Sequence, residues 1–373
     1  MYLYRGVAMV VIKRKCLEKL ESNARVIRDN IPYTTIEKKY NDFSSKEFVH
    51  WWTNSFWAGI LWRLYKETGN EQYAVYATNI EKKLQSVLYS YNDLDHDVGF
   101  LWLYTGVEHY IEKNDKKARS DALLAASVLS SRFNPATGVI LAWNGEDRKG
   151  FAIIDCMMNL PLLYWASKEL KDDRFKNVAM LHADNVIKHF VRENGSVCHI
   201  VKFSGGIKPE EQEGQGFGVG SSWTRGQGWA IYGFIQSYQW TKEKRYLETS
   251  KKVADYFISE AEKNSWKIKC DFCQPEEEEL YDTSAAAIAA CGMIEIYKET
   301  GEKKYLNAAK NLIRVCDEEF CPWDDPEDEA LLNGGCVRYD EHKQMALIYG
   351  DFYFFNAVCE LEKILANTEF VDI

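Results

Sequence analysis

Asp155 stands between Ile154 and Cys156 in FAIIDCMMNLPLLYWASKEL, residues 151–170, a stretch that is apolar nearly all round. A helix of that kind belongs inside a protein, and an acid is almost never fully buried without a partner. Burial penalises the charged carboxylate and raises its pKa. Such a group can hold a proton near neutrality and hand it to a substrate. Two readings of Asp155 stay open at this level: a proton donor, or a cap for a helix that Pro161 helps to start. Asp97, just ahead of Val98-Gly99-Phe100, is either another cap or the second carboxylate of a glycoside-cleaving pair.

Other residues suit the same chemistry. His199 in GSVCHIV sits alone on an expected strand, and Arg225 in SWTRGQGW is a cation on an apolar helix. An ion pair with an Asp and a clamp on a ligand carboxylate fit Arg225 equally well. The glycine-rich loop 214–222 matches neither the Walker pattern nor GxGxxG after a strand, which argues against a nucleotide loop. It reads as a rim of backbone amides, with Gln215 able to reach ligand hydroxyls. Trp52, Trp143 and Trp229 are flat amphipathic walls for a sugar ring, or ordinary core.

A helical repeat must position these groups. YKETGNEQY, ending at Tyr73, recurs as YKETGEKKY, ending at Tyr305, with looser copies ending at Ala118, Phe175 and Tyr246. Four residues after each landmark comes a small residue: Ala77, Ala309, Ala122, Ala179 and Ser250. An aromatic and a small residue one turn apart mark a packed helix face, and Thr-Gly is a helix stop. Each copy is therefore expected to be a tight turn between antiparallel helices. The helices ahead of the turns are the more apolar; those after them are amphipathic and rich in Lys and Glu. A basic segment near residues 13–30 and a last helix over 344–365 bring the total to about twelve.

Six inner and six outer helices in alternation predict an all-α fold, an (α/α)6 barrel, in one domain over residues 13–373 with an extension at 1–12. GVILAW and GSVCHIVKF are expected as local loop hairpins. All inner helices run the same way, so their N-terminal ends open on one mouth, where helix dipoles favour anions. Trp52, Asp97, Asp155, Arg225 and Asp282 lie at or near those starts.

Composition narrows the partners. A chain of 373 residues, 46% hydrophobic, can bury a large core, and its formal net charge of -10 without a basic stripe argues against nucleic acid. Ten cysteines without a regular framework point to a reducing compartment. The one CxxC, Cys270 and Cys273, has no second pair, so neither a metal nor a cofactor is expected. The short apolar run before Lys13-Arg14-Lys15 reads neither as a signal peptide nor as a membrane span. A cytoplasmic location follows, with no membrane and no obligate protein partner.

WTNSFWAGILW, HDVGFL, IIDCMMNLPLLYWA, SWTRGQGWAIYGF, DTSAAAIAACGMIEI and IYGDFYFF occur in that order across residues 51–361. Together they resemble the signature segments of the unsaturated glucuronyl hydrolases, glycoside hydrolase family 88. The resemblance implies the same barrel and a small oligosaccharide substrate left by a polysaccharide lyase, whose non-reducing uronate carries a C4=C5 double bond. A general acid protonates C4, water adds at C5, and the hemiketal collapses to release the sugar. By matching motif, the resemblance implies Asp155 as acid/base and Asp97 as the second essential acid. It implies substrate contacts from Trp52, Trp143, His199, Gln215, Arg225 and Trp229, without a metal.

The chain departs from the family pattern twice. Glu213-Gly214-Gln215-Gly216 stands where Thr-His-Gln-Gly is frequent, and Asn54 stands where Asp is frequent. An added acid at the rim implies a weaker preference for sulfated sugars. Three other readings remain: a hydrolase of unsaturated rhamnogalacturonan products, a sugar 2-epimerase on the same barrel, and a non-catalytic sugar binder. The epimerase needs a pair able to abstract a C2 proton, usually histidines, and only His96 and His199 lie near the motifs.

Overall fold

Each of the five expected turns is closed by the same backbone device. Helices α2 (Phe56–Thr68), α5 (Glu108–Lys113), α7 (Leu160–Leu170), α9 (Thr224–Thr241) and α11 (Thr283–Thr300) end at a left-handed residue. These residues are Gly69, Asn114, Lys171, Lys242 and Gly301, with φ between 54° and 72°. All five occupy the same place in the repeated landmark. A left-handed residue there turns its amide back onto the last helical carbonyls, and the chain reverses into α3 (Glu71–Leu88), α6 (Lys116–Ser131), α8 (Arg174–His189), α10 (Lys244–Lys263) and α12 (Lys303–Glu319). Both landmark residues of every copy are buried, from Tyr73 and Ala77 to Tyr305 and Ala309.

The structure, a computed structural model, describes residues 3–90, 93–204, 208–341 and 343–369. Its inner ring runs α2, then α4 (Val98–Trp102) continued through a π-helical turn (Leu103–Val107) into α5, then α7, α9, α11 and α13 (Ile348–Glu369). Neighbours in that order pack together, and α13 returns to α2, which closes the ring. The sixth outer helix is α1 (Leu3–Ile27), packed on α13. This is the (α/α)6 barrel. Helix α1 begins ten residues ahead of the expected Lys13, and Met9 and Ile12 already belong to the core. Helix α13 starts at Ile348 instead of 344, because Met345 pairs with Gly335 in a bridge. No helix of the described residues is long and apolar enough to cross a membrane.

Two expectations need correction. Residues 151–170 are not one helix: Phe151–Ile153 form strand β5, Ile154–Met158 a 3-10 turn, and only Leu160–Leu170 the helix. Asp155 therefore stands on the turn ahead of the third inner helix. GSVCHIVKF is not a self-contained hairpin either. Its strand β6 (Ile200–Lys202) lies between β5 and β7 (Glu210–Gln212) in an antiparallel sheet. GVILAW is local as expected, with Val139–Ile140 (β4) pairing Phe133–Asn134 (β3). A further hairpin of Thr35–Ile36 (β1) and Lys39–Tyr40 (β2) lies ahead of α2.

Candidate active site

Strand register assembles the acid and its neighbour. Ile153 pairs with Ile200, and the Ile154 amide donates to the His199 carbonyl at 3.0 Å. Asp155 and His199 consequently emerge side by side, with His199 Nε2 3.5 Å from Asp155 Oδ1. On the other side of β6, Ile200 pairs with Gln212, which carries the rim loop back over His199. The Gln215 amide donates to His199 Nδ1 at 2.8 Å. An accepting Nδ1 leaves the ring proton on Nε2, so an N–H faces the carboxylate. A Cβ on Gly214 would fall 2.1 Å from His199 Nδ1; the ring fills the space where a side chain would stand.

Neither acid is a helix cap. Asp97 sits at the N-cap of α4 with no side-chain capping bond, and Asp155 Oδ1 has no hydrogen-bond partner among the described residues. Asp282 differs: its side chain caps α11 through the Ser284 and Ala285 amides. Asn159, at the start of α7, is pinned by accepting the Phe100 amide at 2.6 Å, which leaves its Nδ2 to donate to Asp97 Oδ1 at 3.3 Å and His96 Nδ1 at 3.4 Å. His96 Nε2 then faces Asp97 Oδ2 at 3.4 Å. Asp95, His96 and Asp97 each bring one polar atom within 4.8 Å of the others. Burial, then Asp95, then Asp155 push the Asp97 carboxyl well above the usual carboxylate range. Like charges cannot readily ionise together in such a place.

Both acids open on one cavity of about 650 Å³, also lined by Trp52, Trp143 and Gln215. Gln215 Nε2 donates to the Val337 carbonyl at 3.0 Å, so its side chain is held against the opposite wall. Trp143 approaches His96 edge-on at 6.1 Å. Three expected contacts do not line the cavity. His199 is buried next to Asp155, which does line it. Trp229 is fully buried behind Trp52, 6.5 Å from it ring to ring. Arg225, 1% exposed, pairs with Asp282 at 2.7 Å and donates from Nη1 and Nη2 to the Cys336 and Val337 carbonyls. The guanidinium holds the wall from behind, and the ion-pair alternative is the one realised.

Glu213 is exposed and outside the lining. The Asn54 amide donates to the Phe48 carbonyl at 2.8 Å. Cys270 and Cys273 do not act as a pair: the first is buried with its sulfur 3.4 Å from Cys336 Sγ, and the second is exposed. The rest of the wall, including Tyr33, Asn41, His50, Trp51, Arg338 and Glu341, comes from loops that carry no periodic signal.

The sequence profile of Glycosyl Hydrolase Family 88 matches residues 25–237. The unsaturated glucuronyl hydrolase of Bacillus sp. (strain GL1) is 35% identical over 330 residues, 84% of this chain and 86% of that protein. A crystal structure of unsaturated glucuronyl hydrolase from Bacillus sp. GL1 superposes with a TM-score of 0.88 at 31% identity, covering 98% of both chains. The unsaturated chondroitin disaccharide hydrolase of Streptococcus pyogenes serotype M1 is 28% identical over 93% of this chain and 89% of that protein. With the profile spanning more than half its length and a relative at that identity, this chain belongs to glycoside hydrolase family 88.

Proposed function

We propose that this enzyme releases the 4,5-unsaturated uronate from the non-reducing end of short oligosaccharides made by polysaccharide lyases. One observation carries the reading: two carboxyl groups without capping duties, Asp155 and Asp97, face one aromatic-walled cavity of about 650 Å³. That volume lies within the roughly 300–1,000 Å³ of small-ligand pockets. Asp155 protonates C4 of the vinyl ether and then takes a proton from the water that adds at C5. The hemiketal opens, and the leaving sugar departs with its oxygen protonated, one water being consumed overall. The His199 Nε2–H stabilises the carboxylate that Asp155 becomes. Asp97, whose carboxyl burial and the neighbouring Asp95 and Asp155 push well above the usual carboxylate range, faces the uronate across the cavity. Trp52 and Trp143 flank the sugar, Gln215 meets its hydroxyls, and Arg225 and Trp229 hold wall and floor in place.

The epimerase reading is not favoured: His96 and His199 each present Nε2 to a carboxylate, at 3.4 and 3.5 Å, and have Nδ1 beside a fixed amide donor. A reducing, cytoplasmic setting is supported by ten cysteines, all of them free thiols. The test follows loss of the ultraviolet absorbance of the conjugated uronate. Disaccharides from hyaluronan, from sulfated and unsulfated chondroitin, and from pectin are compared. Turnover of the glycosaminoglycan products is expected. Turnover of the pectin product alone transfers the enzyme to the rhamnogalacturonan activity.

A further inference from the structure

Three stretches of chain remote in sequence meet at one carboxylate behind the cavity. Asp351, in the first turn of α13, is 1% exposed. Its Oδ2 accepts the Leu331 amide at 2.9 Å and the Tyr40 hydroxyl at 2.8 Å, while Oδ1 accepts the Leu332 amide at 2.9 Å. The clamp is reinforced on both sides. The Tyr40 amide donates to Glu329 Oε2 at 2.8 Å, Glu329 N donates to the Lys38 carbonyl at 2.9 Å, and Thr34 Oγ1 donates to the Ala346 carbonyl at 2.8 Å. The two segments so joined carry Tyr33, Asn41 and Phe43 on one side, and Val337, Arg338 and Glu341 on the other. With C4 of the uronate at Asp155, the attached sugar must occupy the remainder of the cavity, which this wall bounds.

We propose that Asp351 is a positioning residue. By fastening the Tyr40 and Leu331–Leu332 segments to α13, it sets the wall against which the leaving sugar binds, and so sets affinity and not proton transfer. The inference rests on the hydrolase reading above. An amide at this position has one acceptor oxygen where the carboxylate has two. Whichever way it turns, its NH2 faces the Leu331 or the Leu332 amide and leaves a buried donor without an acceptor.

The experiment measures kcat and KM of the wild type, Asp351→Asn and Tyr40→Phe on an unsaturated disaccharide and on the methyl glycoside of the same uronate. Asp351→Asn should raise KM for the disaccharide roughly tenfold, the scale of one stranded buried N–H, with kcat within about twofold. Tyr40→Phe removes one hydroxyl and should raise it roughly threefold, which keeps the test available if the first variant fails to fold. KM for the methyl glycoside should not move in either. A role confined to folding lowers kcat on both substrates at constant KM, and that pattern, or an unmoved KM, overturns the proposal. Absence of wild-type turnover sinks the hydrolase reading itself; wild-type turnover with unmoved KM in both variants sinks only the positioning role.

Discussion

His199 Nε2 lies 3.5 Å from Asp155 Oδ1, and neither atom has a hydrogen-bond partner among the described residues. The Gln215 amide occupies the other ring nitrogen, so the pair is an N–H aimed at a carboxyl oxygen and not yet closed into a bond. That arrangement rewards the charge on Asp155 once its proton has left. His199→Ala should therefore lower kcat roughly tenfold to a hundredfold, the scale of one hydrogen bond to a charged group, with KM changed far less. Steady-state kinetics on an unsaturated disaccharide decide it, and an unchanged kcat would remove His199 from the mechanism.

Gly214 is the second half of the same device. Its missing Cβ leaves room for the His199 ring, which would otherwise meet it at 2.1 Å. Gly214→Ala should push the ring away from Asp155 and reproduce most of the His199→Ala loss, while Gly218→Ala, where a Cβ meets nothing within 4 Å, should be silent. Equal activity in both loop variants contradicts this account of the loop.

The five turns differ in what their left-handed residue costs. Gly69 and Gly301 adopt it freely, whereas Lys171 and Lys242 hold φ of 55° and 58° with a side chain present. Replacing either lysine by Gly should stabilise the protein, by up to about 1 kcal/mol each, read as a rise in the urea midpoint at constant slope. The gain should be additive, since the turns are separate. A fall in the midpoint would mean that these side chains do more than occupy the turn.

Acid sensitivity should come partly from Glu360. It accepts from Arg63 at 3.0 Å, Lys298 at 2.8 Å and Lys363 at 3.1 Å. Burial works against its ionisation, but the Lys298 contact and the other two cations outweigh it and hold the carboxyl down at about 2. Its unfolded value is about 4.3. A depressed folded pKa contributes stability that is present above the unfolded value and lost as pH falls toward the folded one. Glu360→Gln should accordingly be less stable than wild type at pH 7, with the gap closing between about pH 4.3 and 2. Denaturant unfolding across that range checks the sign, and a gap independent of pH contradicts it.

The barrel was legible because its turns repeat a local pattern. An aromatic, a small residue one turn later and a fixed reversal point need no distant partner to be recognised. The positions of Asp97 and Asp155 stand out for a related reason, both acids falling just ahead of apolar inner helices. What stayed hidden depends on pairings between remote stretches. The β5–β6–β7 sheet that sets Asp155 beside His199 joins strands some fifty residues apart. Arg225 read equally as ligand clamp or ion pair until the Cys336 and Val337 carbonyls were seen to surround it. Asp351 sits inside IYGDFYFF, and nothing local marks it, because the loops that bury it have no periodicity.

The most direct test compares the wild type with Asp155→Asn, following the ultraviolet absorbance of an unsaturated disaccharide and measuring its binding in parallel. The substitution removes the exchangeable carboxyl proton and little else, so kcat should fall by about 10²–10⁴-fold, while the disaccharide still binds. Turnover by Asp155→Asn at a rate near that of the wild type would show that this residue does not deliver the proton, and the account of the site would be wrong.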